Sequence, residues 1–159
     1  MHRMSQAVWS ALVIGVGSAA ILLGSAPAFA ACTRTITITQ QQAMRFGTIA
    51  PASGGGHVTL SPTGNETAPS GFVVVAAGGA ASFNVFGSRN CGVIISFTPG
   101  ALTGPGASMT VTNFTTNAGP SPMLNLFGLL NFSVGADLVV NPAQVSGIYS
   151  GTYNVTVVY

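Results

Sequence analysis

The sequence predicts an all-β protein: an antiparallel β-sandwich over residues 31–159, preceded by a signal-peptide helix over residues 1–30 that is cleaved. Three observations predict the sandwich. Short stretches alternate between β-branched or aromatic residues and polar ones, as a half-buried strand requires. Turn signals rich in Gly, Pro and Asn recur roughly every eight to twelve residues, with no convincing helical period between them. The chain also closes on an alternating strand, in which Tyr153, Val155, Val157 and Tyr159 share one side and Thr152, Asn154 and Thr156 the other.

The first thirty residues read as a targeting segment. His2 and Arg3 make a basic start, residues 7–24 are apolar and uncharged, and Pro27, Ala28 and Ala30 supply a small-x-small ending. The expected cut falls between Ala30 and Ala31. The same residues admit a retained membrane anchor, and Phe29-Ala30-Ala31-Cys32 loosely resembles the box before a lipid-modified cysteine.

Cys32 and Cys91 are the only cysteines. In an exported chain such a pair reads first as one disulfide, worth about 4 kcal/mol for a loop of this length. Two free thiols, or a lipidated Cys32 with Cys91 left over, are the alternatives.

Charge narrows the partners. Only 4% of the residues are charged, against about a quarter in an ordinary domain. There is no lysine, and residues 31–159 hold Arg34, Arg45 and Arg89 as their cations and Glu66 and Asp137 as their acids. Nucleic acid would call for clustered Lys and Arg, and calcium for several carboxylates; neither is expected. Membrane insertion after signal removal is not expected either.

Along the chain, strands are expected at residues 33–39, 44–49, 57–61, 71–76, 82–86, 93–97, 108–112, 124–134, 138–140 and 152–159. Residues 71–76 are apolar throughout and residues 93–97 read as another buried strand; Phe72 to Ala76 and Val93 to Phe97 would aggregate if exposed, so both are expected as interior strands. Gly78-Gly79 reads as a hairpin turn between residues 71–76 and 82–86, and Gly135-Ala136 as a turn before residues 138–140. Residues 51–56, 62–70, 99–106 and 117–122 read as loops.

No arrangement of residues demands chemistry, and no cofactor or metal is expected. His57 is the only histidine after residue 30, so a histidine metal site lacks partners, and no serine sits in a Gly-x-Ser-x-Gly elbow. Glu66 and Asp137 match a glycosidase pair in residue type alone; solubility and turn formation explain them as well. Gly54, Gly55 and Gly56 are followed by neither Lys-Ser/Thr nor a helix, so they are a loop rather than a phosphate cradle. Sugar binding would want exposed aromatics. Trp9 leaves with the signal, and Tyr149, Tyr153 and Tyr159 are explained by the closing strand. Asn65, Asn113, Asn131 and Asn154 begin glycosylation triplets of the kind that arise by chance in a Thr- and Asn-rich chain.

Three segments together suggest a family. They are Phe46-Gly47-Thr48-Ile49 followed by His57-Val58-Thr59-Leu60, then residues 80–87, then residues 134–140 leading into residues 147–159. In this order they resemble an exported bacterial β-sandwich family catalogued as a domain of unknown function. The closing Gly-x-Tyr-x-Gly-x-Tyr-x-Val-Thr-Val-x-Tyr is the most specific part. A looser resemblance is to pilus subunits, including the spore-coat-U-like kind, which implies an immunoglobulin-like or pilin-like sandwich with one disulfide. Those subunits polymerise by lending an N-terminal arm to a neighbour's sheet. Cys32 departs from that pattern: it is the second residue after the expected cut, so a bond to Cys91 leaves almost no arm before the tether.

The expected function is therefore a non-enzymatic structural or adhesive protein of the bacterial envelope, a fimbrial-type subunit among its forms, in the periplasm, at the cell surface or secreted. Its expected partners are further copies of itself or other envelope proteins, met through an edge strand. The alternative is a monomeric extracellular module that binds carbohydrate or a surface protein.

Overall fold

A computed structural model describes residues 31–159. The signal peptide expected over residues 1–30, with Ala30 at its cut, lies outside the described residues. Within them the chain forms twelve β-strands and no helix, and every strand pairing is antiparallel. They are β1 (Thr37–Gln42), β2 (Thr48–Ala50), β3 (Gly56–Leu60), β4 (Glu66–Thr67), β5 (Val73–Ala76), β6 (Ala81–Phe86), β7 (Ile94–Thr98), β8 (Gly100–Thr103), β9 (Met109–Thr116), β10 (Leu129–Val140), β11 (Ser150–Gly151) and β12 (Asn154–Val158).

The longest strand, β10, organises the large sheet. Along one edge it pairs first with β6, through Leu129 to Val134, and then with β3, through Ala136 to Val140. Its other edge pairs with β9. The main path of that eight-stranded sheet runs β1-β6-β10-β9-β8-β11, and β3 carries β4. Phe132, Val134, Ala136, Leu138 and Val140 are all buried, so the period of two holds along most of the strand.

The buried side chains fall into two clusters, one under each half of β10. Phe83 and Val85 of β6 and Phe132 and Val134 of β10 meet Val157 of β12 and Val93 ahead of β7, with Ile95, Phe97 and Val155 packed against them. This core lies between the large sheet and the two-stranded sheet β12-β7, which makes the two layers of a sandwich. The second cluster joins Val58, Met109, Val111, Leu138 and Val140 to Ile49 of β2 and Phe72 beside β5. The β2-β5 ribbon adjoins this half.

Several sequence expectations are corrected. Gly78-Gly79 is not a β5-β6 hairpin: β5 pairs with β2, whereas β6 lies between β1 and β10. The glycines instead admit the backbone of Arg45, which exchanges hydrogen bonds with Gly79, N to O at 2.9 Å and 2.7 Å. Gly135-Ala136 is not a turn, since β10 runs straight through it. Glycine is needed there because the Leu60 carbonyl crosses so closely that a Cβ would strike it. Residues 124–134 divide. Leu124 is buried ahead of a turn in which Asn125 Oδ1 accepts from the amides of Phe127 (2.8 Å) and Leu129 (3.0 Å), and the strand begins at Leu129. The expected loops at residues 62–70 and 99–106 contain the short strands β4 and β8.

The two apolar stretches expected inside are also corrected. Val73 and Val75 are 58% and 68% exposed, because β2-β5 is a ribbon of two strands with solvent on both sides of β5. In β7, Ile95 and Phe97 face the core while Ile94 is exposed, because a two-stranded sheet covers the core with one face only.

The disulfide joins Cys32 to Cys91 with Cα atoms 5.9 Å apart. It clamps the lead-in to β1 against the segment after β6, beside the ladder in which Thr37 opposes Phe86.

Two stability outcomes follow. Replacing fully buried Leu60 by alanine lowers urea-measured stability by about 2–5 kcal/mol. Replacing Cys32 and Cys91 together by serine lowers it by about 2–5 kcal/mol, and reduction of the parent protein reproduces that loss.

Candidate functional site

A shallow, open groove of about 370 Å³ is lined by Ile38 and Gln40 of β1, Ala43 and Met44 after it, Phe83 of β6, and residues 151–155. No charged side chain lines it. On one side β1 is the end strand of the large sheet, paired with β6 alone; on the other, β12 pairs with β7 alone. The groove touches Tyr153 and Val155 as well as Thr152 and Asn154. These residues point alternately to opposite faces of an extended chain, so the groove runs along the strand's edge rather than over one face. The closing strand is thus a strand with a bare edge. Its parity agrees with the expectation, with Val157 buried and Tyr153 and Val155 packed on the core.

Tyr153 stands at the inner wall. Its ring lies 5.2 Å from that of Phe114, which stacks on Phe97 at 5.3 Å. The Tyr153 hydroxyl is buried with no hydrogen-bond partner among the described residues, and burial pushes its pKa up from the ordinary tyrosine value.

The other two tyrosines brace the backbone. Tyr159 hydroxyl accepts from the Ser88 amide and donates to the Arg34 carbonyl at 2.7 Å, so the last residue ties the lead-in of β1 to the end of β6. The Arg34 guanidinium lies 4.0 Å above the Phe86 ring, a cation–π contact. Tyr149 hydroxyl donates to the Val145 carbonyl (2.7 Å) and accepts from the Gly106 amide (3.0 Å). The glycines of the closing motif are backbone necessities: Gly147 has φ +153° against the Pro105 ring, and a Cβ on Gly151 would strike the Ala101 carbonyl.

The residues weighed for chemistry are dispersed into structural tasks. Glu66 Oε2 accepts from the Gly78 amide at 2.9 Å and steadies the chain between β5 and β6; its Oε1 is buried with no hydrogen-bond partner among the described residues. Asp137, expected beside a turn, lies within β10. Its Oδ2 accepts from Asn113 Nδ2 at 2.8 Å. Asn113 sits at φ +50°, where β9 carries an irregularity opposite Gly135 to Asp137. Asparagine tolerates that conformation, and the carboxylate holds it. His57 is exposed on β3, paired in register with Val139. Gly54-Gly55-Gly56 leads directly into β3 rather than into a helix. No group of three metal-ligating side chains occurs among the described residues.

These elements define the class: an antiparallel, disulfide-clamped β-sandwich with an uncharged groove between two bare strand edges. Residues 36–159 match the family model described as Domain of unknown function (DUF4402). The chain belongs to that family, and the match covers every strand. Neither a curated protein nor a solved structure matches it.

Replacing Tyr153 by phenylalanine removes a buried hydroxyl that has no partner, so stability at neutral pH is unchanged or raised. The folded-state pKa is raised, so the tyrosine's contribution is fully present below the unfolded value near 10 and is lost as pH rises through the folded one. Denaturation from pH 8 upward therefore shows a shallower alkaline loss for Tyr153→Phe than for the parent.

Proposed function

We propose that this chain is a non-enzymatic structural or adhesive protein of the bacterial cell envelope, a fimbrial-type subunit, that joins other chains through the strand edges beside the β1/β12 groove. One observation carries the reading. Two strands that each lack a neighbour border the same uncharged groove. Unpaired strand edges are templates for another chain, and adding an extended segment satisfies their N–H and C=O groups while side-chain pockets select what enters. The occupant this lining accepts is an extended, uncharged segment with aliphatic side chains, because a charged side chain would be desolvated there without a partner.

Export supports the same reading. The pattern of residues 1–30 is that of a secretory signal, and a disulfide suits an oxidising compartment. Periplasm, cell surface and medium all satisfy it. A monomeric sugar-binding module has less behind it, since the most exposed aromatic ring among the described residues, Phe127, does not line the groove.

The test places charge at the two edges. Gln40 and Asn154 are both exposed and both line the groove. Light scattering over a concentration series shows association of the parent protein, and Gln40→Lys with Asn154→Lys weakens it about tenfold or more without loss of β-sheet circular dichroism. A parent protein that stays monomeric at its highest soluble concentration, and binds no extended uncharged peptide, would overturn the proposal.

A further inference from the structure

We infer that the segment entering the groove is strand β5 of a second copy of this chain, so that copies join head to tail. The inference rests on the strand-accepting reading above and names its occupant. Val73, Val74 and Val75 are 58%, 40% and 68% exposed, a consecutive run of aliphatic side chains left in solvent. They lie on the two-stranded β2-β5 ribbon, so the second edge of β5 has no neighbour. Thr48 pairs with Ala76 and Ile49 with Val74, which leaves Val75 without a partner on β2.

The chemistry of the two surfaces matches. From Ala68 to Ala81 the chain carries no charged residue, and no charged residue lines the groove. Natural edges are commonly blunted by lysine, by inward charges or by proline. Neither β5 nor β12 contains any of these. An aliphatic edge and an uncharged receptive edge on the same molecule complement each other, and pairing β5 of one copy with β12 of the next covers both.

The ribbon and the groove are different surfaces, so the contact is heterologous. Each copy offers one of each, and repetition gives an open chain of subunits unless the rotation closes a ring. The Val73 to Ala76 edge is rich in β-branched residues and uncharged, a sequence that favours cross-strand association, and burial in a neighbour's groove satisfies it.

The test uses the exported protein in three forms. Val73→Lys with Val75→Lys changes exposed side chains only, and weakens self-association about tenfold or more while circular dichroism is kept. That variant still binds, through its intact groove, a peptide copying residues 71–77. Mixing Val74→Cys protein with Asn154→Cys protein under mild oxidation gives a crosslinked heterodimer, and neither protein alone gives a crosslinked dimer. If the ribbon variant still assembles while Gln40→Lys with Asn154→Lys does not, the β5 assignment is overturned and the strand-accepting reading stands. Crosslinking of Val74→Cys protein to itself overturns the head-to-tail contact in favour of a symmetric one. Assembly indifferent to both sets of charges overturns both.

Discussion

The structure depends on one constraint: strand β10 must stay continuous and paired along its length. Its two halves serve different cores, the first under β7 and β12 and the second beside the β2-β5 ribbon. Both cores use the same face of the strand, so a one-residue slip would turn every buried side chain outward in both. The close crossing of Leu60 at Gly135 and the Asp137–Asn113 hydrogen bond lie where the neighbour on one edge changes from β6 to β3 and the ladder to β9 is irregular. The two features that looked most like punctuation or chemistry, a glycine and an acid, thus serve the continuity of one strand.

With β10 in place, the bare edges follow. The large sheet extends from β10 through β6 and stops at β1, while β12 adds to β7 alone. The Cys32–Cys91 bond and the Tyr159 hydrogen bonds hold the lead-in of β1 against the end of β6. Fixing β1 on one side leaves its opposite edge to the groove. Low charge leaves these edges unguarded, because a chain without lysine has little with which to repel an incoming strand. In the association proposed for this protein, the uncharged edges that are a liability in a monomer become its means of assembly.

The all-β class, the disulfide and the parity of the closing strand were legible in the residues, since each rests on local chemistry: alternation, cysteine count and turn composition. Strand partners were not. Gly78-Gly79 carries a hairpin signal, yet the strands on either side take different neighbours, and the glycines serve the approach of Arg45 instead. Uniformly apolar residues 71–76 looked buried because a sequence reports how apolar a strand is, not how many elements cover it. Gly135 read as a turn because glycine allows turns and close crossings alike, and only the position of Leu60 separates the two.

The candidate site was legible in its parts and not as a site. Ile38 and Tyr153 each belonged to an alternating segment, but their separation in the chain gives no sign that they line one groove. What the sequence by itself determined was local: which stretches extend, which side of each is apolar, which cysteines can pair, and how little charge there is to steer or repel a partner. What only the tertiary structure decided was which strands lack neighbours and which bare edges border one space. Backbone pairing is indifferent to side-chain identity, so strand adjacency is set by how the whole sandwich closes around β10.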